Sequence, residues 1–140
     1  MSIQQIQVLV VENDEVNAQV ARAMLERLGC RVDTAENGAE AIRLFGEARY
    51  DLILMAWQMP VMDGLEATAR IRTLTPGSAI PIVGTSARIG RSECLAAGMN
   101  ELMPKPFRME NLKIELSKWT RWRDSRAGGS SASPLRSDTE

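Results

Sequence analysis

The chain has 140 residues, of which 44% are hydrophobic and 25% charged, and a formal net charge of −1; this is the make-up of one soluble globular domain, without a basic field to draw nucleic acid. No apolar run reaches the roughly 20 residues of a membrane span, and the start "MSIQQIQVLVVEND" carries neither a basic region nor a cleavage site, so a cytoplasmic domain is expected. Histidine is absent, which excludes imidazole acid–base catalysis, imidazole metal ligation and phosphate donation from histidine by this chain. Cys30 and Cys94 suit neither a disulfide framework nor a CxxC metal site and are expected to be core residues.

Taken in order, "IQVLVV", residues 6 to 11, has the unbroken β-rich character of a strand covered on both faces. "EVNAQVARAMLERLG" follows with Val16, Val20, Met24 and Leu28 at helical spacing, which marks them as the apolar stripe, and Gly29 supplies a stop. "RVDTA" predicts a second strand, "NGAEAIRLFGEAR" a second helix and "YDLILMA" a third strand. After Gly64, the residues Ala67, Ile71 and Leu74 mark a third helix, "TPGSAIP" a turn and "IPIVGTS" a fourth strand. A helix over "RIGRSECLAAG" and a short strand around "ELM" come next, and Leu112, Leu116 and Trp119 stripe a final helix. Strands alternating with helices throughout predict an α/β fold, a three-layer sandwich around a parallel sheet. The composition then changes to "RDSRAGGSSASPLRSDTE", so residues 1–123 are expected to form the domain and residues 124–140 a disordered tail or linker.

In such a sheet, residues just beyond the carboxyl ends of neighbouring strands converge on one pocket. Strand one delivers Glu12, Asn13 and Asp14, strand three Ala56, strand four Thr85 and Ser86, and strand five Lys105 followed by Pro106. With "VLVVENDEVN", "AENGAEAI", "YDLILMAWQMPVMDGLEATARIR", "IPIVGTSA", "CLAAGMNE" and "PKPF" in this order, the chain resembles the receiver domain of two-component response regulators over roughly residues 6 to 120. The wording "NDEVN" and "QMPVMDG" is most similar to receivers that serve hybrid histidine kinases and their phosphorelays.

The resemblance implies a flavodoxin-like (βα)5 fold with a five-stranded parallel sheet in the order 2-1-3-4-5. It also implies phosphoryl transfer from a kinase phosphohistidine to an aspartate at the end of strand three, with Mg²⁺ held by an acidic pair and the acceptor. In that scheme Ser86 and Lys105 bind the phosphoryl group and pull a switch. Three departures stand out. Ala56 occupies the phospho-acceptor position, the acidic pair has become Glu12 and Asn13 with the charge of Asp14 one residue late, and Leu102 replaces the switch tyrosine or phenylalanine. A metal site on Glu12 and Asn13 is expected to be weak or lost, so no cofactor is expected and Mg²⁺ binding should be weak or absent. No catalytic residue is expected, and the chain is not expected to be an enzyme.

With the acceptor carboxylate gone, Lys105 is expected to pair with Glu12, with Ser86 sharing the contact. Asp63 reads as a helix N-cap and Gly64 as a turn residue. Pro106 is a candidate cis proline, because the family often has one there. Trp57 is either an interface anchor or a lid over the pocket; Trp119 fits the core, and Trp122 covers the sheet edge or stays partly exposed. These features point to a pseudo-receiver that acts by phosphorylation-independent protein contact. Its partners would be a histidine kinase, a phosphotransfer domain or a downstream regulator, and neither nucleic acid nor membrane. By resemblance, the binding surfaces are the pocket rim with the first helix, and the last two helices with strand five. The alternative is an ordinary phospho-accepting receiver with an engineered Asp→Ala substitution at position 56, against which Asn13 and Leu102 weigh. A small-molecule binder is disfavoured by the lack of a Gly-rich phosphate loop.

Overall fold

The computed structural model describes residues 5–74, 80–86, 90–105 and 108–123. Ten elements alternate along the chain: β1 (Gln7–Val11), α1 (Glu15–Arg27), β2 (Arg31–Ala35), α2 (Gly38–Glu47), β3 (Leu52–Ala56), α3 (Gly64–Leu74), β4 (Ile82–Ser86), α4 (Arg91–Ala97), β5 (Glu101–Pro104) and α5 (Met109–Trp119). The strands form one parallel sheet in the order β2-β1-β3-β4-β5, the predicted doubly wound arrangement. The predicted turn at "TPGSAIP" falls largely, and Pro106 and the stretch 124–140 wholly, outside the described residues.

Alternation along the strands divides the core into two layers. Val8, Val10, Val32, Leu52 and Leu54 pack with Ala21 and Leu25 of α1 and with Leu112 and Leu116 of α5. Leu9, Val11, Ile53, Met55 and Ile82 pack with Ala41 of α2, Ala67 and Ile71 of α3, and Cys94 of α4. Cys30 belongs to the first layer and Cys94 to the second, both buried and free, as expected of core thiols. Burial, with a smaller contribution from Asp51, pushes the Cys30 thiol up to about 11.

The structure corrects three details of packing. In α1 the predicted stripe is out of phase: Val16 and Val20 are 70% and 46% exposed, while Ala18, Ala21 and Leu25 face the sheet. Both sets satisfy helical spacing, and the alanines prevail because their small side chains let the helix lie close to the strands. Met24 and Leu28 pack at the margin of the core. The stripe of α3 ends at Ile71, with Leu74 at 50% exposure. Trp122, expected at the sheet edge or partly exposed, is buried with the first core layer, and its indole Nε1–H donates to the Leu28 carbonyl at 2.8 Å, closing the end of α1. Trp119 is partly buried against the same layer.

One arginine joins the elements around β4. The Arg72 guanidinium on α3 donates to the carbonyls of Ile80 (2.7 Å) and Gly98 (2.9 Å) and to Asn100 Oδ1 (2.9 Å), which also accepts from the Ile82 N–H at 2.8 Å. This fork ties α3, the start of β4 and the end of α4 together.

Candidate functional site

The carboxyl ends of β1, β3, β4 and β5 meet at one edge of the sheet, and each functional side chain is set there by backbone bonding. The Glu12 N–H continues the β1–β2 ladder by donating to the Ala35 carbonyl at 2.9 Å. Its side chain is thereby turned over the strand ends, at only 8% exposure. Glu12 Oε1 accepts from Lys105 Nζ at 2.5 Å, and Oε2 accepts from the Asp14 N–H at 3.1 Å. The Lys105 N–H donates to the Ser86 carbonyl at 3.3 Å, which extends the β4–β5 ladder to the lysine. The expected pairing of Glu12 with Lys105 is therefore present. In the order β1-β3-β4-β5 the pair joins strands that are not neighbours, so the lysine reaches across the ends of β4 and β3. Ala56, at the end of β3, is buried and small enough to leave that lane open.

The remaining sequence candidates divide between this pair and local structure. Asn13 is exposed. Asp14, expected as part of an acidic pocket, is the N-cap of α1, its Oδ1 accepting from the Asn17 N–H at 3.0 Å. That bond satisfies a free amide of the first turn, which accounts for its charge lying one residue late. Thr85 is buried and Ser86 half-buried at the end of β4. Leu102 on β5 packs at the margin of the second core layer and pairs in register with Gly84. Trp57 is half-buried against the same layer beside Met59 and Met62, lining the loop after β3.

Asp63 caps α3 as expected, accepting from the Glu66 N–H at 2.9 Å. Gly64 does more than turn the chain. A Cβ there would sit 1.9 Å from the Ala56 carbonyl oxygen, and the Gly64 N–H donates to the Trp57 carbonyl at 2.7 Å. Only glycine lets the start of α3 press on the end of β3.

Three features carry no signal in the sequence. The Met62 N–H donates to the Pro60 carbonyl at 2.7 Å, closing a three-residue turn around Val61, whose φ of 70° is unusual for a β-branched residue. The Gly38 N–H donates to the Met62 carbonyl at 3.0 Å, tying α2 to the loop after β3. On the face formed by α4, β5 and α5, the Glu101 carboxylate accepts from Arg91 and, at 3.2 Å, from Lys118 Nζ. Burial opposes ionisation of Glu101, but the two cations prevail and hold its carboxyl below its ordinary value. Charges scattered through "RSECLAAGMNE" and "IELSKW" carried no signal that they converge.

Beside Glu12, a polar cleft of about 390 Å³ opens between α1 and the end of β2, lined among others by Asn13, Glu15, Arg22, Thr34 and Glu36. Its acids do not gather into a cage; among the described residues no group of three His, Cys, Asp or Glu side chains is arranged to hold a metal. Nor is any helix among the described residues long and apolar enough to cross a membrane.

A family model described as the response regulator receiver domain matches residues 8–117. The two-component response regulator ORR41 of Oryza sativa subsp. japonica is 42% identical over 126 residues, covering 85% of this chain and 98% of that protein. Among solved structures, the receiver domain of a sensor histidine kinase from Pseudomonas aeruginosa, with a magnesium ion coordinated in its active-site cleft, superposes with a TM-score of 0.77 at 39% identity, covering 83% of this chain and 98% of that one. A receiver domain of a Saccharomyces cerevisiae downstream response regulator, co-crystallised with a histidine phosphotransfer signaling protein, gives 0.78 at 25% identity, covering 86% and 92%. The chain also matches larger histidine kinases and hybrid signalling proteins, of whose length it spans 15%, 7% and 6% in three cases.

Proposed function

Because the chain belongs to the response regulator receiver family, we propose that it is a receiver of two-component or phosphorelay signalling that works by binding a partner without accepting a phosphoryl group. One observation carries this reading: the acceptor position at the end of β3 is Ala56, and the lysine that would meet a phosphorylated side chain is engaged by Glu12 at 2.5 Å. Alanine offers no oxygen for transfer, and with no histidine in the chain the neighbouring hydroxyls of Thr85 and Ser86 have no imidazole base. On this reading it catalyses no reaction of its own.

The donor set does not suit the metal that the family uses. Mg²⁺ favours a near-octahedral shell with one or two carboxylates. Here Ala56 contributes none, both Glu12 oxygens hold hydrogen bonds, and Asp14 is turned to the first turn of α1. Magnesium binding is accordingly expected to be weak or absent.

The partner classes follow from the family: a histidine kinase, a phosphotransfer protein or a downstream regulator, as in the yeast co-crystal pair. Exposed apolar side chains on α1 (Val16 and Val20) and in the loop after β3 (Val61) support such docking. The face of α4, β5 and α5 is the second expected contact surface.

A second reading, an ordinary receiver with Asp replaced by Ala at position 56, draws support from the loop after β3, where Asp63 and Gly64 keep their structural duties. One experiment separates the two. Intact mass is measured after incubation with acetyl phosphate and Mg²⁺, beside the Ala56→Asp variant. The proposed function expects no phosphoryl adduct on either protein. An adduct on the variant alone would favour the second reading, and an adduct on the chain itself would refute the proposal.

A further inference from the structure

The Glu12–Lys105 pair has a consequence for what can enter the pocket. We propose that it is a self-closing ion pair that excludes both divalent cations and phosphate-type oxyanions, and that removing either charge opens the pocket to the ion its partner can then bind. This rests on the geometry of the two side chains alone and stands whether or not a partner is ever phosphorylated.

Glu12 is 92% removed from solvent, taking its residual exposure of 8%, and the lysine side chain is 22% exposed. At 2.5 Å the contact is a charge-assisted hydrogen bond in a largely dehydrated setting, where Coulombic attraction is strong. The second carboxylate oxygen is taken by the Asp14 N–H. An incoming cation must therefore displace the ammonium before it finds a free carboxylate, and an incoming oxyanion must displace the carboxylate before it finds the ammonium. The lysine does internally what a bound metal ion would do for Glu12: it neutralises the charge.

Ala56 makes the arrangement possible. It lies on β3, between the strands that carry the pair, and its methyl group neither competes for Lys105 nor blocks the crossing. A carboxylate at that position would stand between the two groups and attract the same ammonium. Closure of the pocket and loss of the acceptor are thus one structural change.

The test titrates the full chain and its variants with two bare ions. Mn²⁺ binding is read from loss of the free-ion paramagnetic resonance signal, and inorganic phosphate binding from amide shifts at residues 12 to 14 and 105. The chain itself should bind either ion weakly at most. Lys105→Met and Lys105→Gln should each bind Mn²⁺ at least about tenfold more tightly than the parent, and Glu12→Gln should gain phosphate binding by a similar factor. Lys105→Arg, which keeps the charge, should stay closed, as should the doubly neutral Glu12→Gln/Lys105→Met protein, which also guards against unfolding caused by a lone buried charge. Parental binding of either ion as tight as in its variant would overturn the proposal, as would folded single variants that gain nothing.

Discussion

Val61 sits in left-handed backbone where a β-branched side chain crowds the neighbouring peptide. It is 82% exposed, so its side chain returns no core packing for that strain. Val61→Gly should therefore stabilise the folded chain by about 1 kcal/mol at most, offset in part by the greater freedom of glycine in the unfolded state. Urea denaturation read by circular dichroism checks this, and a clear loss of stability would mean that the side chain holds the loop. At this scale the sequence was most informative where chemistry and position coincide. Ala56, Glu12 and Lys105 stand at strand ends that the alternating pattern locates, and their pairing follows from the need to neutralise a half-buried lysine. Val61 was opaque because a positive φ is imposed by the Pro60–Met62 turn, and "PVM" carries none of the Gly or Asn that would announce it.

Among the elements, α1 shows how periodicity can indicate a helix and yet misplace its face. Val16 and Val20 repeat at the spacing of a core stripe, as do Ala18, Ala21 and Leu25, and the sheet accepts the slimmer set. The strands suffered no such ambiguity, since residues such as Val8, Leu9 and Val10 are buried on both sides of the sheet whatever their phase. Helix α4 is shorter than its sequence pattern, with residues 91–97 helical and no more than Cys94 buried. Displaced from the core, the two valines of α1 stand one turn apart as an exposed apolar strip. Val16→Glu and Val20→Glu should leave stability within about 0.5 kcal/mol of the parent, because both positions are exposed. They should weaken capture of a phosphotransfer partner at least tenfold if that helix is the docking face. Thermal unfolding and isothermal titration against such a protein separate the two effects, and unchanged affinity would move the contact elsewhere.

Across the whole molecule, acidity tests how the α4, β5 and α5 face is held. Glu101 has a folded-state pKa below its ordinary value because Arg91 and Lys118 outweigh its burial. The folded chain thus binds that proton less readily than the unfolded chain. Its contribution is complete above the unfolded value of about 4.3 and disappears as pH falls through the lower folded value. Glu101→Gln should flatten the acid side of the stability profile, measured by denaturant unfolding from pH 7 to pH 3. A parallel downward displacement with unchanged shape would show that the carboxylate contributes packing and not charge. The convergence of these three residues was illegible beforehand because it depends on how two helices flank an edge strand.

The Glu12–Lys105 contact also joins residues 93 positions apart, so forming it closes a loop that contains most of the domain. Such a closure is entropically unfavourable until the intervening strands are in place, which puts the bond late on the folding route. A late bond acts as a latch on unfolding. Neutralising both partners together should accelerate unfolding while leaving the refolding rate nearly unchanged, a pattern that stopped-flow measurements of both limbs would reveal.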